Sequence, residues 1–225
     1  MKPTASDELR NYYAARATEY DDDRRYPPER AADISYLRST IPCQFTGRRV
    51  IDVACGTGSW TGLISRYATN VVGVDVNQSV LDIARRRPAL ESTNLTASDA
   101  YCLGKELGTF NAAFVGFWIS HVPRSRLFEF LASLHRRLEP GAMVMMVDNS
   151  EALCKTIPIS DRDAEGNTFQ SRKLADGSSF RILKNFLTAS ELTTYTAPFG
   201  VNAHFRELEH FWILMYESAA PKVAT

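Results

Sequence analysis

Three acids, Asp52, Asp75 and Asp99, stand at the ends of short apolar runs, and the first is followed at once by a glycine turn, Ala54-Cys55-Gly56-Thr57-Gly58. A strand that ends in such a turn and opens a helix lets a ligand approach the backbone and turns helix N–H groups toward it, as a nucleotide-binding loop does. The glycines run Gly56-x-Gly58-x-x-x-Gly62, close to a dinucleotide fingerprint. Trp60 and Thr61, however, occupy positions where that fold needs small residues beside a pyrophosphate. The carboxylate of Asp52 would also repel a pyrophosphate, whereas it suits a ligand that carries an amine and a sulfonium. Taken singly, Asp52 or Asp75 is equally explained as the cap of the helix that follows.

A second group with chemical potential is FVGFWISHVP, residues 114–123. Phe117 and Trp118 offer aromatic faces that attract a cation, or else they are ordinary core. His121 has the titration range of a general base, against the alternative of a structural turn. Asp148 and Asn149 end another apolar run and offer a carboxylate and an amide to orient an amine or hydroxyl; the alternative is an Asx turn. Near the N-terminus, Tyr12, Tyr13, Arg16 and Tyr20 recur at helical spacing, with Tyr13, Arg16 and Tyr20 on one face, either as a lid or as a solvated amphipathic helix.

The elements that must position these groups alternate. Apolar runs at 50–53, 71–74, 95–97, 112–116 and 143–147 are separated by helical patterns at 60–67, 79–87 and 124–138, the signature of successive βαβ units and a mostly parallel sheet. The third helix carries Leu127, Phe130, Leu131, Leu134 and Leu138 in a stripe, with Pro140-Gly141 as its stop. Segments 7–20 and 28–41 read as helices that cap one end of the sheet, within a cap region of 1–47. Within 150–187, segments 168–174 and 178–183 flank Asp176-Gly177 and predict an inserted hairpin. A helix at 188–196 and strands at 204–208 and 211–216 close a single domain of 1–217, leaving 218–225 as a tail.

The chain has 225 residues, 44% hydrophobic and 23% charged, enough for one sizeable core. Lys plus Arg equals Asp plus Glu at 26 each, so no overall field favours nucleic acid or an anionic membrane, and a small-molecule partner is expected. The four cysteines lack metal or disulfide spacing and no signal peptide opens the chain, so reduced thiols, no metal and a cytoplasmic location are expected. No apolar run approaches the roughly 20 residues that span a bilayer.

With these residues in view, DVACGTG resembles motif I of the class I S-adenosylmethionine (SAM)-dependent methyltransferases, and the later motifs follow in order. In VVGVDVNQSVLDIA, Asp75 with Val76 matches the acid this family places on the ribose hydroxyls. In LTASDAYCL, Asp99 and Ala100 match the positions that read the adenine edge, and RRLEPGAMVMMVDN is similar to the family's late helix–turn–strand. The resemblance implies a Rossmann-like α/β fold of class I methyltransferase type, a seven-stranded mostly parallel sheet with an antiparallel last strand, an N-terminal helical cap and an inserted β-hairpin. It implies SAM as co-substrate, held by Tyr13, Arg16, Tyr20, Asp52, Ala54, Gly56, Gly58, Trp60, Asp75, Val76, Asp99, Ala100 and Phe117. Phe117, Trp118, His121 and Asn149 are the candidate catalytic groups for in-line methyl transfer to a small molecule, by a monomer or homodimer. Two other activities fit the same residues: cyclisation of SAM to azetidine-2-carboxylate with release of methylthioadenosine, and SAM binding without turnover. An NAD-linked dehydrogenase fits them least.

Overall fold

The computed structural model describes residues 5–17 and 28–220. Its apolar runs become strands β1 (Arg49–Val53), β2 (Asn70–Asp75), β3 (Asn94–Ala97), β4 (Phe110–Gly116) and β5 (Leu138–Asn149). Together with β9 (Gly200–Glu207) and β10 (Phe211–Ser218) they make a seven-stranded sheet in the order β3-β2-β1-β4-β5-β10-β9. The first five are parallel, and β10 runs antiparallel to both β5 and β9. The order reverses between β1 and β4, so the loops leaving their carboxyl ends diverge and open a crevice, the place where such sheets hold ligands.

Side chains alternate across the sheet. Ile51, Val53, Ala113, Val115, Val144 and Met146 face α5 (Leu127–His135), whose Leu127, Phe130, Leu131 and Leu134 are buried at helical spacing. Val50, Val71, Ala112, Phe114, Met143 and Met145 face the other way, toward α2 (Ala31–Thr40) and α3 (Ser59–Ile64). Ile34 and Leu37 make α2 a layer against the sheet's face, so of the two N-terminal helices it is α1 (Ala5–Arg16) that lies over the ligand edge. The predicted lid residue Tyr20 lies outside the described residues.

One boundary differs from the sequence expectation. Leu138 belongs to β5, paired with Phe110, and not to α5, which ends at His135. Pro140-Gly141 is absorbed by an irregularity in the β4–β5 pairing between Phe110 and Ala112, and Gly141 adopts φ 75°. Proline is tolerated at such bulges, so the pair reads as a helix stop while lying inside the strand.

The insertion forms its own small sheet of β6 (Asp161–Arg162), β7 (Thr168–Lys173) and β8 (Ser179–Leu183). Its Asp176-Gly177 turn has the expected chemistry: Gly177 takes φ 88°, and the Ser178 N–H donates to Asp176 Oδ1 at 2.8 Å. Asn185 fastens this unit to the loop after β4, its backbone N–H donating to Ser120 O at 2.7 Å and its Nδ2 to Val122 O at 3.0 Å. The helix α6 (Ala189–Thr196) follows, opened by a capping box between Thr188 and Glu191. Among the described residues no helix is long and apolar enough to cross a membrane.

Candidate functional site

The glycine turn after β1 is bent by three left-handed residues, Ala54 at φ 57°, Gly56 at φ 56° and Gly58 at φ 76°. For Ala54 that conformation costs about 1–2 kcal/mol, which the surrounding structure must supply. The Gly56 N–H donates to Asp75 Oδ2 at 3.0 Å and the Asn77 N–H donates to Asp75 Oδ1 at 2.8 Å. Asp75 thus ties the loop after β1 to the loop after β2; burial raises its pKa, with the amide hydrogen bonds opposing. Asp99 Oδ1 accepts the Tyr101 N–H at 2.9 Å, which fixes the turn after β3. Ala54, Gly56, Asp75, Val76, Asp99 and Ala100 border one cavity of about 170 Å³.

Three residues expected against the ligand stand behind this loop instead. Asp52 is buried and accepts Thr61 Oγ1 at 2.6 Å; burial pushes its carboxyl up to about 7, against the lowering effect of that hydrogen bond. A Cβ on Gly58 would lie 2.3 Å from Leu90 Cδ1 and 3.2 Å from Ala84 Cβ, so this glycine serves close packing as well as its φ of 76°. Trp60 is core, its ring 5.7 Å from that of Phe114.

The loop after β4 supplies the next wall. Phe117 is also left-handed, at φ 60°, and its N–H donates to Val147 O at 2.7 Å. Its ring meets Phe211 edge-on at 5.8 Å and Trp60 at 6.2 Å. Trp118 borders the same cavity, and its buried indole N–H has no hydrogen-bond partner among the described residues.

His121 is held on both sides. Its Nδ1 lies 2.7 Å from Leu183 O, which can only accept, so Nδ1 carries the proton. Nε2 is then the acceptor for the Tyr13 hydroxyl at 2.9 Å. Burial, assisted by the positive charge of Lys184, pushes the imidazole down to about 3 and keeps it neutral.

Tyr13, Phe117 and His121 border both the first cavity and a second one of about 270 Å³. The second is polar: Arg16, Arg30, Asn149, Arg172 and Lys184 reach it. Lys184 Nζ donates to Asp148 Oδ1 at 3.0 Å and to Ser120 Oγ at 2.6 Å, while the Ser120 N–H donates to Asp148 Oδ2 at 3.0 Å. Lys184 holds the fully buried Asp148 carboxyl below the usual range despite burial. Asn149 Nδ2 donates to Asp148 Oδ1 at 3.1 Å, and Arg16 Nη1 donates to the Tyr12 hydroxyl at 3.1 Å. Sequence reading missed Arg30, Arg172 and Lys184. For Arg172 a signal existed in the alternation of β7, which puts Thr168, Gln170 and Arg172 on one face. Among the described residues there is no cluster of side chains suited to a metal ion.

This geometry can be set beside known proteins. Residues 50–141, from β1 into β5, match the family model of a methyltransferase domain. The solved complex of DhpI with SAM and HEP superposes with a TM-score of 0.77 at 28% identity, covering 96% of this chain and 99% of that one. Residues 50–141 thus carry a methyltransferase domain, and the chain as a whole resembles the class I SAM-dependent methyltransferases in fold. A demethylmenaquinone methyltransferase of Staphylococcus epidermidis is 30% identical over 128 residues, 55% of this chain and 51% of that protein. The chain thus spans about half the length of the curated relatives it matches. NodS of Bradyrhizobium japonicum in complex with S-adenosylhomocysteine (SAH), at 12% identity and a TM-score of 0.64, shares the fold. The seven-stranded sheet and its antiparallel β10 agree with the fold that the motifs imply, and Asp75 and Asp99 both border the first cavity.

Proposed function

We propose that the chain transfers a methyl group from SAM to a small-molecule acceptor. The observation that carries this reading is the abutment of two cavities at Tyr13, Phe117 and His121, one bordered by the glycine turn, Asp75 and Asp99 and one polar. The adenine edge is read at Asp99 and Ala100, the ribose hydroxyls at Asp75, and the sulfonium lies toward the faces of Phe117 and Trp118. The acceptor occupies the second cavity, with Asn149 and Arg16 on its wall. Relatives point the same way: DhpI is solved with SAM and with SAH, and the curated relatives are demethylmenaquinone methyltransferases.

In the step itself a nucleophilic atom of the acceptor bonds to the methyl carbon, the carbon–sulfur bond breaks, and its electron pair remains on SAH. Such a displacement depends mostly on holding donor and acceptor in line. A neutral His121 with a pKa near 3 is a poor proton acceptor at neutral pH, so it acts as a positioning residue that aims Tyr13 at the junction. Cyclisation of SAM would use the same donor pocket but leaves the second cavity without a role, which favours transfer. The protein works in the cytoplasm, as its four free thiols suit a reducing compartment, and as a monomer or homodimer.

The test is to incubate the protein with SAM alone and then with candidate acceptors, separating the adenosine-containing products by chromatography and mass spectrometry. Binding of intact SAM, with SAH formed only when an acceptor is added, is expected. Enzymatic methylthioadenosine in the absence of acceptor would overturn transfer in favour of cyclisation.

A further inference from the structure

The described residues that line the second cavity include four cationic side chains, Arg16, Arg30, Arg172 and Lys184, and no carboxylate. Lys184 is spoken for by Asp148 behind it. Arg172 is different. Its Nη2 donates to Gln170 Oε1 at 2.7 Å, and among the described residues no carboxylate pairs with it. Gln170 is fully buried, and its own amide nitrogen donates to Ile157 O, so the guanidinium is held by a side chain that is itself held. A guanidinium carries five N–H donors in a planar fork. One is used by Gln170, leaving the fork's other donors beside a cavity that Tyr12, Tyr13 and Ile182 partly dry. Burial lowers the pKa of Arg172, with Tyr12 and Tyr13 opposing, so the charge is kept at a cost that a bound anion would offset. Arg172 borders the second cavity and not the nucleoside cavity, which separates it from the donor's adenosine.

We propose that the second cavity is an oxyanion site, with Arg172 as its anchor, and that the methyl acceptor is a small acid carrying a carboxylate, phosphonate or phosphate group. The assignment rests on the methyltransferase reading, since it names what lies beside the methyl donor. Arginine suits this task because its fork matches the geometry of two oxyanion oxygens, and Arg16, Arg30 and Lys184 add positive potential around them. The second anion that could reach Arg172 is the methionine carboxylate of SAM itself, and the experiment separates the two.

Calorimetry on the SAH-loaded protein titrated with methylphosphonate, inorganic phosphate, acetate and the uncharged acetamide provides the test. Binding of at least one oxyanion and not of acetamide is expected, weakened about tenfold or more in Arg172→Gln while SAH affinity stays within about twofold. Equal oxyanion binding by Arg172→Gln, or none by the wild type, overturns the site. If Arg172→Gln weakens SAM but leaves decarboxylated SAM unchanged, the anion is the donor's carboxylate and the acceptor assignment falls. Should Arg172→Gln not fold, phenylglyoxal labelling of wild-type Arg172, mapped by peptide mass spectrometry, decides: methylphosphonate must protect it, and undiminished labelling overturns the proposal. If SAH does not bind the wild type, the methyltransferase reading fails by itself, and the same oxyanion titration of the unloaded protein still judges Arg172.

Discussion

The hydroxyl of Tyr13 donates to Nε2 of His121 across 2.9 Å, joining the first helix to the loop after β4 at the meeting point of the two cavities. The other ring nitrogen of His121 is committed to Leu183 O, so this contact has one polarity. Replacing Tyr13 by Phe leaves a buried acceptor unpaired, a loss of about 1–3 kcal/mol. Tyr13→Phe is expected to slow SAH formation about tenfold at saturating SAM, with SAM affinity changed less than turnover. Rapid-quench and calorimetric measurements on the same variant check the split; a loss confined to affinity would place Tyr13 on the donor alone.

The same histidine should stay neutral on acidification. Its folded pKa lies near 3, below the ordinary 6.5, so the unfolded chain binds the proton first and His121 destabilises the fold as pH falls from about 6.5 toward 3. Imidazole ¹⁵N shifts should show no protonation of His121 between pH 8 and 5. A midpoint near 6.5 would mean the ring is more open to water than its contacts indicate.

Asp52 has the opposite linkage. Its folded pKa of about 7 lies above the ordinary 3.8, so the folded state holds the proton and this group's contribution is lost as pH rises from about 4 through 7. Asp52→Asn keeps an acceptor for Thr61 without the charge, and should gain about 1–3 kcal/mol relative to wild type between pH 5 and 8. Urea unfolding at both pH values measures it, and a pH-independent difference would contradict the buried protonated acid.

Asp75 tethers two loops and faces the nucleoside cavity. Asp75→Ala should weaken SAM binding by about 1–3 kcal/mol, the usual loss for a charged hydrogen-bond acceptor. Calorimetry with SAM decides this, and unchanged affinity would remove Asp75 from the ribose.

Lys184 and Asp148 form a buried pair, at 3% and 0% side-chain exposure. Lys184→Met leaves the carboxylate uncompensated and should cost about 3–5 kcal/mol, whereas the double variant with Asp148→Asn should recover most of it. Chemical denaturation of the single and double variants completes the cycle; equal losses in both would mean that packing rather than charge dominates.

The border of the first cavity was readable because its placement is local. Asp75, Asp99 and Gly56 lie at the ends of consecutive strands, where hydrophobic alternation alone gives their places. The second cavity was only partly so: Tyr13, Arg16 and Asn149 were named, but Arg172 and Lys184 reach it through the docking of an inserted sheet onto Ser120 and Val122. Nor do Ala54 and Phe117 announce their positive φ, since neither residue type favours it. Asp52 and Trp60 were misplaced for a simpler reason. Sequence neighbours of a glycine turn look equally exposed to a ligand, whereas here the chain turns one set toward the cavity and the other into α3 and the sheet.

Helix α1 carries Leu9 and Tyr13 to the first cavity and Tyr12, Tyr13 and Arg16 to the second, and it rests on Phe180 and Ile182 of the insertion. On the proposed reading, donor and acceptor therefore share one wall. A displacement of this helix would open both cavities together, so that release of the spent donor would be tied to release of the acceptor's product.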